Sequence, residues 1–263
     1  MKVVVIGGTG RIGQHVVQKL TLASHEAISL DVVSAARSTG VDLTTGNGLE
    51  RILKGAEVVI NLTNSPTFDE ASLDFFRTSM NNLLVAGASA AVRHQVVLSM
   101  VGVDRVPQLD YFRAKLLQEE LLRQGPTPYS IVRATQFFEF MDTVISWTSD
   151  DNAVRLPSTR IQPVAAADVV DAVVEVALGP PLRGIRNVAG PDVFGLDELG
   201  RVTLAARGDG RSVISDDQAG MFAAVGGDEL IAGPDAAWVP LSTLMAGVPL
   251  EPTHYLDWIQ KSR

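Results

Sequence analysis

The stretch Met1 to Gly13, MKVVVIGGTGRIG, contains the clearest fold signal in this 263-residue chain. Residues 3–6 form a short β-branched run that ends at a glycine, which indicates a strand buried on both faces. After the glycines, apolar residues recur at helical spacing, at Ile12, Val16, Val17 and Leu20. The chain therefore opens with a strand, a glycine turn and a helix.

Three glycines in that turn, Gly7, Gly10 and Gly13, have the spacing G-x-x-G-x-x-G. The better-known G-x-G-x-x-G pattern is not matched, because position 9 is Thr. The physical roles are the same: a tight turn, close approach of backbone to a pyrophosphate, and close packing of helix on strand. A helix N-terminus also attracts phosphate. The alternative is a glycine turn that binds no ligand. We predict instead a dinucleotide site, formed by Gly7, Thr9, Gly10, Arg11, Ile12 and Gly13.

Strand and helix patterns alternate over about the first 150 residues. This alternation predicts an α/β fold, a Rossmann-like doubly wound parallel sheet with helices on both faces. We expect residues 1–150 to form this core. Residues 151–263 lack a clear core pattern of their own, and we expect a small C-terminal substrate-binding appendage packed on the same domain.

The end of the second strand decides between NAD and NADP, because an acidic residue there binds a free ribose 2′-OH and an Arg accommodates a 2′-phosphate. Two strand candidates, 27–30 and 32–36, flank Asp31, which lies 18 residues after Gly13 and suits NAD. Arg37 follows the second candidate, with Ser38 adding a hydroxyl, and suits NADP. We favour NADP through Arg37 and Ser38, and NAD stays open.

A Ser–Tyr–Lys set gives the chain candidate catalytic groups. Tyr111 and Lys115 stand at i and i+4 on one helix face, and Ser99 ends an earlier strand, at the edge where open α/β sheets bind ligands. A neighbouring ammonium would lower the pKa of the tyrosine from about 10, so that Tyr111 could give a proton to a substrate oxygen. Ser99 would hold that oxygen by a hydrogen bond.

Together these residues resemble the short-chain dehydrogenase/reductase superfamily, within its atypical branch of NmrA-like and NAD(P)H quinone-oxidoreductase-like proteins. The likeness rests on residues 7–13, 97–102, 111–115 and 131–140. It implies catalytic Tyr111, Lys115 and Ser99, with Lys115 also touching the nicotinamide ribose. The catalytic Asn that many relatives carry on the long helix is not clearly present, since Asn81 and Asn82 lie too late. Further implied contacts are Asp42 and Leu43 at the adenine, and Asn61, Leu62 and Thr63 along the cofactor.

The expected activity is NADP-dependent reduction of a carbonyl or quinone, with a small-molecule substrate and Tyr111 as proton donor. A catalytically silent NmrA-like regulator that senses the dinucleotide is the alternative. The wall facing the nicotinamide is predicted to carry the candidate substrate-binding residues Met100, Phe137, Phe138 and Met141.

Composition excludes several other classes of protein. The net charge is -8, from 22 Lys and Arg against 30 Asp and Glu, which argues against nucleic acid and anionic membranes as partners. There is no cysteine, and the four histidines share no spacing, so no metal site is predicted. Without a signal-like segment or an apolar run of membrane length, we expect a cytoplasmic location. The sequence points to no particular oligomeric state.

Overall fold

The computed structural model describes residues 1–26, 30–233 and 253–262. The strands are β1 (Lys2–Ile6), β2 (Asp31–Ala35), β3 (Val58–Asn61), β4 (His94–Met100), β5 (Tyr129–Ala134), β6 (Ala153–Leu156), β7 (Arg160–Ile161), β8 (Ile185–Val188), β9 (Phe194–Gly195) and β10 (Ser212–Ser215). The helices are α1 (Arg11–Glu26), α2 (Leu49–Leu53), α3 (Ala71–Ser89), α4 (Asp110–Gln124), α5 (Met141–Trp147), α6 (Ala166–Leu178), α7 (Leu196–Arg207) and α8 (Tyr255–Lys261). None of these helices is long and apolar enough to cross a membrane.

A six-stranded sheet in the order β2-β1-β3-β4-β5-β8 confirms the predicted Rossmann-like α/β fold. The strands from β2 through β4 pair in parallel. Ile6 lies beside both Ala35 and Asn61, so the strands β1, β2 and β3 end at one edge of the sheet. That shared edge places the loops after these strands together.

The register of β2 places Asp31 away from the strand end where a ribose-binding residue was expected. Asp31 opens the strand and pairs with Lys2, whereas Ala35 closes it beside Ile6. Asp31 therefore lies at the opposite edge from the glycine turn, about 13 Å away at strand spacing. Arg37 and Ser38 follow the strand after Ala36, as the NADP interpretation requires. Most of the other strand candidate, residues 27–29, lies outside the described residues.

The chain divides into two compact units that alternate along the sequence. The first comprises residues 1–99, 110–133 and 170–186, and the second residues 100–109, 134–169 and 187–263. This grouping does not follow a single division of the chain at residue 150. The predicted core of residues 1–150 and appendage of residues 151–263 stay a prediction. The first unit holds the glycine turn, Ser99, Tyr111 and Lys115.

An apolar core supports the sheet edge within the first unit. Side chains of β1, β2 and β3 pack there against α2 and α3, with contributions from the loop between β2 and α2. Val4, Val59 and Leu53 are fully buried in this cluster. Because each buried aliphatic side chain contributes about 1.5–3 kcal/mol, this packing holds the strand ends in place.

The second unit carries two short strand pairs, β6 with β10 in parallel and β7 with β9 antiparallel. Its last described helix, α8, is docked by aromatic packing. The ring of Tyr255 lies 5.0 Å from that of Phe138, and its hydroxyl shares a 2.7 Å hydrogen bond with Thr203. These contacts fasten α8 to the rest of the second unit.

Candidate functional site

The glycine turn brings the backbone of the β1–α1 connection against the start of α1. Gly7 has a φ of +81°, which favours glycine, and its N–H donates to the Ala35 carbonyl at 2.8 Å. A Cβ at position 13 would lie 2.0 Å from the Gly7 carbonyl oxygen, so no side chain fits there. Thr9, Gly10 and Arg11 are exposed at the rim of the turn, and Ile12 is partly buried behind them.

The start of α1 fits a pyrophosphate. The first turn of this 16-residue helix, residues 11–14, contains Arg11 and no acidic residue. Its unpaired backbone N–H groups and positive dipole end attract an anion. These features, with the glycine packing, are what the phosphates of a dinucleotide require.

A cation stands at the carboxyl end of β2. Arg37 begins a 3-10 turn, its side chain is 69% exposed, and its Nε lies 3.8 Å from a carboxylate oxygen of Asp42. Hydrogen bonds from Thr44 hold the pKa of Asp42 below its usual value, which keeps this carboxylate ionised beside the guanidinium. Ser38 follows in the same turn. Leu43 is buried, and its carbonyl oxygen accepts from Asn82 at 2.8 Å, so Asn82 holds this loop.

The segment after β3 lies against the glycine turn. A Cβ on Gly7 would lie 3.1 Å from the backbone of Leu62 and 3.3 Å from that of Thr63. The buried amide of Asn61 accepts from the Thr63 N–H at 3.1 Å and from its hydroxyl at 2.7 Å. The structure thus brings Leu62 and Thr63 to the glycine turn, and their contact with the cofactor stays a prediction.

Tyr111 is held by its ring and by its hydroxyl. It is 6% exposed, and its ring centroid lies 4.9 Å from that of Phe68 and 6.3 Å from that of Phe76. The hydroxyl donates to Oδ1 of Asn64, two residues beyond Leu62. Burial raises the pKa of Tyr111 to about 12.

Lys115 is turned into the protein on the same helix. It is 3% exposed, and its Nζ donates to the Leu98 carbonyl at 2.8 Å and to Oε1 of Gln118 at 2.5 Å. The ammonium also lies 4.9 Å from the ring centroid of Phe76. Burial lowers the pKa of Lys115 to about 7, against the opposing charge of Glu119.

These contacts correct one expectation about the pair. The sequence predicted an ammonium that lowers the pKa of Tyr111, yet here Lys115 is bonded to Leu98 and Gln118, and the pKa of Tyr111 is raised. The two residues share the ring of Phe76 as a common neighbour. Tyr111 and Lys115 therefore lie near one another, and the Tyr111 hydroxyl keeps its proton at pH 7.

Ser99 is one of several buried residues in the described part of the chain with a side-chain polar atom that has no hydrogen-bond partner. It is 2% exposed, and its Oγ has no hydrogen-bond partner within the described residues. It directly follows Leu98, whose carbonyl receives Lys115. Since a buried unpaired hydroxyl costs about 1–3 kcal/mol, a ligand oxygen bound here would recover that energy.

A buried ion cluster that sequence reasoning missed anchors α4. Glu119 is fully buried and accepts from Nε and Nη2 of Arg133, each at 2.8 Å, and from Arg123 at 2.8 Å. Arg133 lies on β5, so the cluster fastens α4 to the sheet. The i,i+4 pair of Glu119 and Arg123 within this cluster could have been predicted from helical spacing. Gln118, three residues after Lys115, was readable in the same way. Phe76 and Asn64 had no such signal.

The predicted substrate-binding residues belong to the second unit and differ in exposure. Phe138 is 1% exposed and packs edge-on against Tyr255, with Trp258 at 5.4 Å. Met141 is also buried. These two side chains lie in the core of the second unit, and their substrate role stays a prediction. Met100 and Phe137 are only partly buried, and their substrate role stays a prediction.

Curated relatives of this chain include reductases. It is 29% identical over 153 residues to (4-alkanoyl-5-oxo-2,5-dihydrofuran-3-yl)methyl phosphate reductase of Streptomyces griseus, covering 55% of this chain and 50% of that protein. It is 28% identical over 180 residues to divinyl chlorophyllide a 8-vinyl-reductase of Arabidopsis thaliana, covering 57% and 42%. The match spans about half the length of these proteins.

Solved structures share the fold over the full chain. A dTDP-4-dehydrorhamnose reductase of Clostridium acetobutylicum has a TM-score of 0.71 at 16% identity, covering 99% of this chain and 98% of that one. The NADPH-dependent quinone oxidoreductase of Escherichia coli, complexed with NADPH, has a TM-score of 0.70 at 15% identity, covering 99% of both chains. The family model described as NAD(P)H-binding matches residues 7–180. The matched residues begin at the glycine turn, and the chain belongs to the NAD(P)H-binding family.

Proposed function

We propose that this protein is an NADPH-dependent reductase of a carbonyl or quinone substrate, with Tyr111 as the proton donor. The observation that carries the proposal is the unpartnered Oγ of Ser99, buried beside the residue that receives Lys115. A substrate oxygen bound to Ser99 would gain the hydrogen bond that this hydroxyl lacks. The curated relatives are named as reductases, which supports a reduction but no particular substrate group.

The proton in this reaction comes from the chain. When bound, the reduced nicotinamide supplies two electrons and one hydrogen to the substrate carbon. Tyr111 gives its hydroxyl proton to the substrate oxygen, and water returns a proton to the phenolate that remains. Ser99 holds the oxygen in place. Lys115 contacts the ring of Phe76, which also packs against Tyr111.

NADP is the proposed form of the dinucleotide. Arg37 follows β2 at the edge where the glycine turn lies, and its guanidinium is exposed. A planar guanidinium matches a phosphate with two parallel hydrogen bonds. Asp31, the acidic candidate for a free 2′-OH, opens β2 at the other edge.

A substitution at Arg37 tests this choice. We expect Arg37→Ala to raise the Kd for NADPH about 10- to 100-fold, the size of a lost charge-assisted pair, and to change the Kd for NADH less than twofold. Titration of cofactor fluorescence measures both constants. Arg51→Ala, an exposed arginine of α2, is the matched control. Equal losses for the two cofactors in Arg37→Ala would reject the 2′-phosphate contact.

The activity itself is tested with purified protein, NADPH, and a panel of ketones, aldehydes and quinones. We expect consumption of NADPH, followed at its absorbance band, with at least one apolar member of the panel. Binding of NADPH without consumption by any member would reject the reductase proposal.

A dinucleotide-sensing regulator is the second candidate, favoured by one observation. The hydroxyl of Tyr111 donates a hydrogen bond to Asn64, and burial raises the pKa of Tyr111 to about 12. A tyrosine in this state holds its proton tightly, which disfavours proton transfer to a substrate. For a regulator we expect tight NADPH binding, no turnover, and a protein partner whose co-purification depends on the ratio of NADP⁺ to NADPH.

A further inference from the structure

Asn64 is the polar side chain that meets the reacting atom of Tyr111. It lies in the segment that joins β3 to α3, 47 residues before Tyr111 in the sequence. Its Oδ1 accepts a hydrogen bond from the Tyr111 hydroxyl. The same oxygen accepts the Ser65 N–H at 3.0 Å. Asn64 is exposed, so its amide lies between the buried phenol and the outside of the first unit.

Hydrogen bonds hold this segment in one conformation on both sides of Asn64. Before it, Thr63 is bonded through its N–H and its hydroxyl to the buried Asn61. After it, the Thr67 N–H donates to Oγ of Ser65, and the Ser72 hydroxyl donates to the Thr67 carbonyl at 2.7 Å. The amide is therefore presented to Tyr111 by a fixed backbone and not by a loose side chain.

An amide can serve both protonation states of a phenol. Its oxygen accepts from the neutral hydroxyl, and its NH₂ group donates to a phenolate once the amide rotates. Rotation exchanges the Ser65 N–H bond for a charge-assisted bond, which is the stronger kind. The hydrogen bond with Asn64 also acts to lower the pKa of Tyr111, against the larger effect of burial.

The amide also lies close to where a substrate oxygen must bind. A proton leaves Tyr111 only toward an oxygen within about 2.6–3.2 Å of its hydroxyl. The two polar atoms of an amide are about 2.3 Å apart, so the NH₂ group of Asn64 is a second donor within a few ångströms of that oxygen. Such a donor stabilises the negative charge that develops there.

We propose that Asn64 is a catalytic residue that stabilises the Tyr111 phenolate and the substrate oxygen during proton transfer. The role rests on the proposed reductase function. In this step the O–H bond of Tyr111 breaks, its proton joins the substrate oxygen, and the bonding pair stays on the phenolate. Water then returns the proton, and the amide accepts from the hydroxyl again.

Three variants test the role of Asn64. Asn64→Leu keeps the size and removes both polar atoms, and Asn64→Asp keeps the acceptor, removes the donor and adds a negative charge. Asn81→Leu, at an exposed position of α3, is the matched control. With NADPH and an accepted substrate, we expect kcat to fall about 10- to 100-fold in Asn64→Leu and further in Asn64→Asp. The Kd for NADPH should change less than threefold, and Asn81→Leu should match the parent protein.

A measurement without turnover separates the two proposals. Tyrosine labelled with ¹³C at Cζ gives three signals, from Tyr111, Tyr129 and Tyr255, and Tyr111→Phe assigns the relevant one. We expect Asn64→Leu to shift the Tyr111 signal alone. An unshifted signal, or a kcat within twofold of the parent, would overturn the role of Asn64. Absence of turnover in the parent protein would overturn the reductase function itself, and the catalytic role with it.

Discussion

Two buried tyrosines, one in each compact unit, have the same shifted pKa and different surroundings. Burial raises the pKa of Tyr111 and of Tyr255 to about 12. The hydroxyl of Tyr255 is paired with the fully buried Thr203, and its ring packs among Phe138, Phe194 and Trp258. The hydroxyl of Tyr111 meets an exposed amide.

The difference shows that a shifted pKa alone does not identify a functional tyrosine. What separates the two residues is the neighbourhood. Around Tyr111, Phe76 also contacts a buried lysine, and that lysine is bonded next to a serine hydroxyl that has no partner in the described residues. Around Tyr255, every contact named above is one that stabilises the fold. The comparison predicts different losses when each hydroxyl is removed.

The largest expected effect is on turnover when the Tyr111 hydroxyl is removed. Tyr111→Phe keeps the ring packing on Phe68 and Phe76, and we expect kcat with NADPH to fall by about 10²- to 10⁴-fold, the usual value of a general acid. Tyr255→Phe is the control, with kcat within twofold of the parent. Activity that survives Tyr111→Phe would reject Tyr111 as the proton donor. The two tyrosines would then no longer differ in function.

The next effect is a pH dependence of stability that arises from Lys115. Its folded pKa of about 7 lies below the unfolded value near 10.5, so between these values the unfolded chain binds a proton that the folded protein does not. Stability therefore rises with pH, by about 2 kcal/mol between pH 7 and pH 9. Urea unfolding at several pH values measures this, and Lys115→Met should abolish the rise. A free energy of unfolding that does not change with pH in the parent protein would mean that the Lys115 ammonium is charged and well solvated in the folded state.

The sequence predicted most of the first unit because its signals are local. The glycine spacing, the strand that precedes it and the i,i+4 pair of Tyr111 and Lys115 each depend on neighbours within a few residues. The sheet then brings Arg37, Leu62 and Thr63 to the strand ends near the glycine turn, and their contacts with the cofactor stay predictions. The family match over residues 7–180 agrees with that local pattern.

What the sequence missed depends on contacts between distant residues. Asn64 reaches Tyr111 across 47 positions, and the position of Phe76 between Tyr111 and Lys115 follows from the packing of α3 on α4. Phe138 follows β5, and the sequence did not show that α8, more than a hundred residues later, packs on it. An aromatic residue after a strand looks the same in sequence whether or not a later helix packs on it.

The smallest effect expected is on stability when the Tyr255 hydroxyl is removed. Tyr255→Phe leaves the aromatic packing in place and removes one buried hydrogen bond, which contributes about 1 kcal/mol. The loss is limited because the Thr203 hydroxyl keeps its 2.6 Å bond to the Leu199 carbonyl. Urea unfolding at pH 7 measures the change, with Tyr129→Phe as the control. A loss well above 3 kcal/mol would mean that the hydroxyl does more than pair with Thr203, and the contrast with Tyr111 would then weaken.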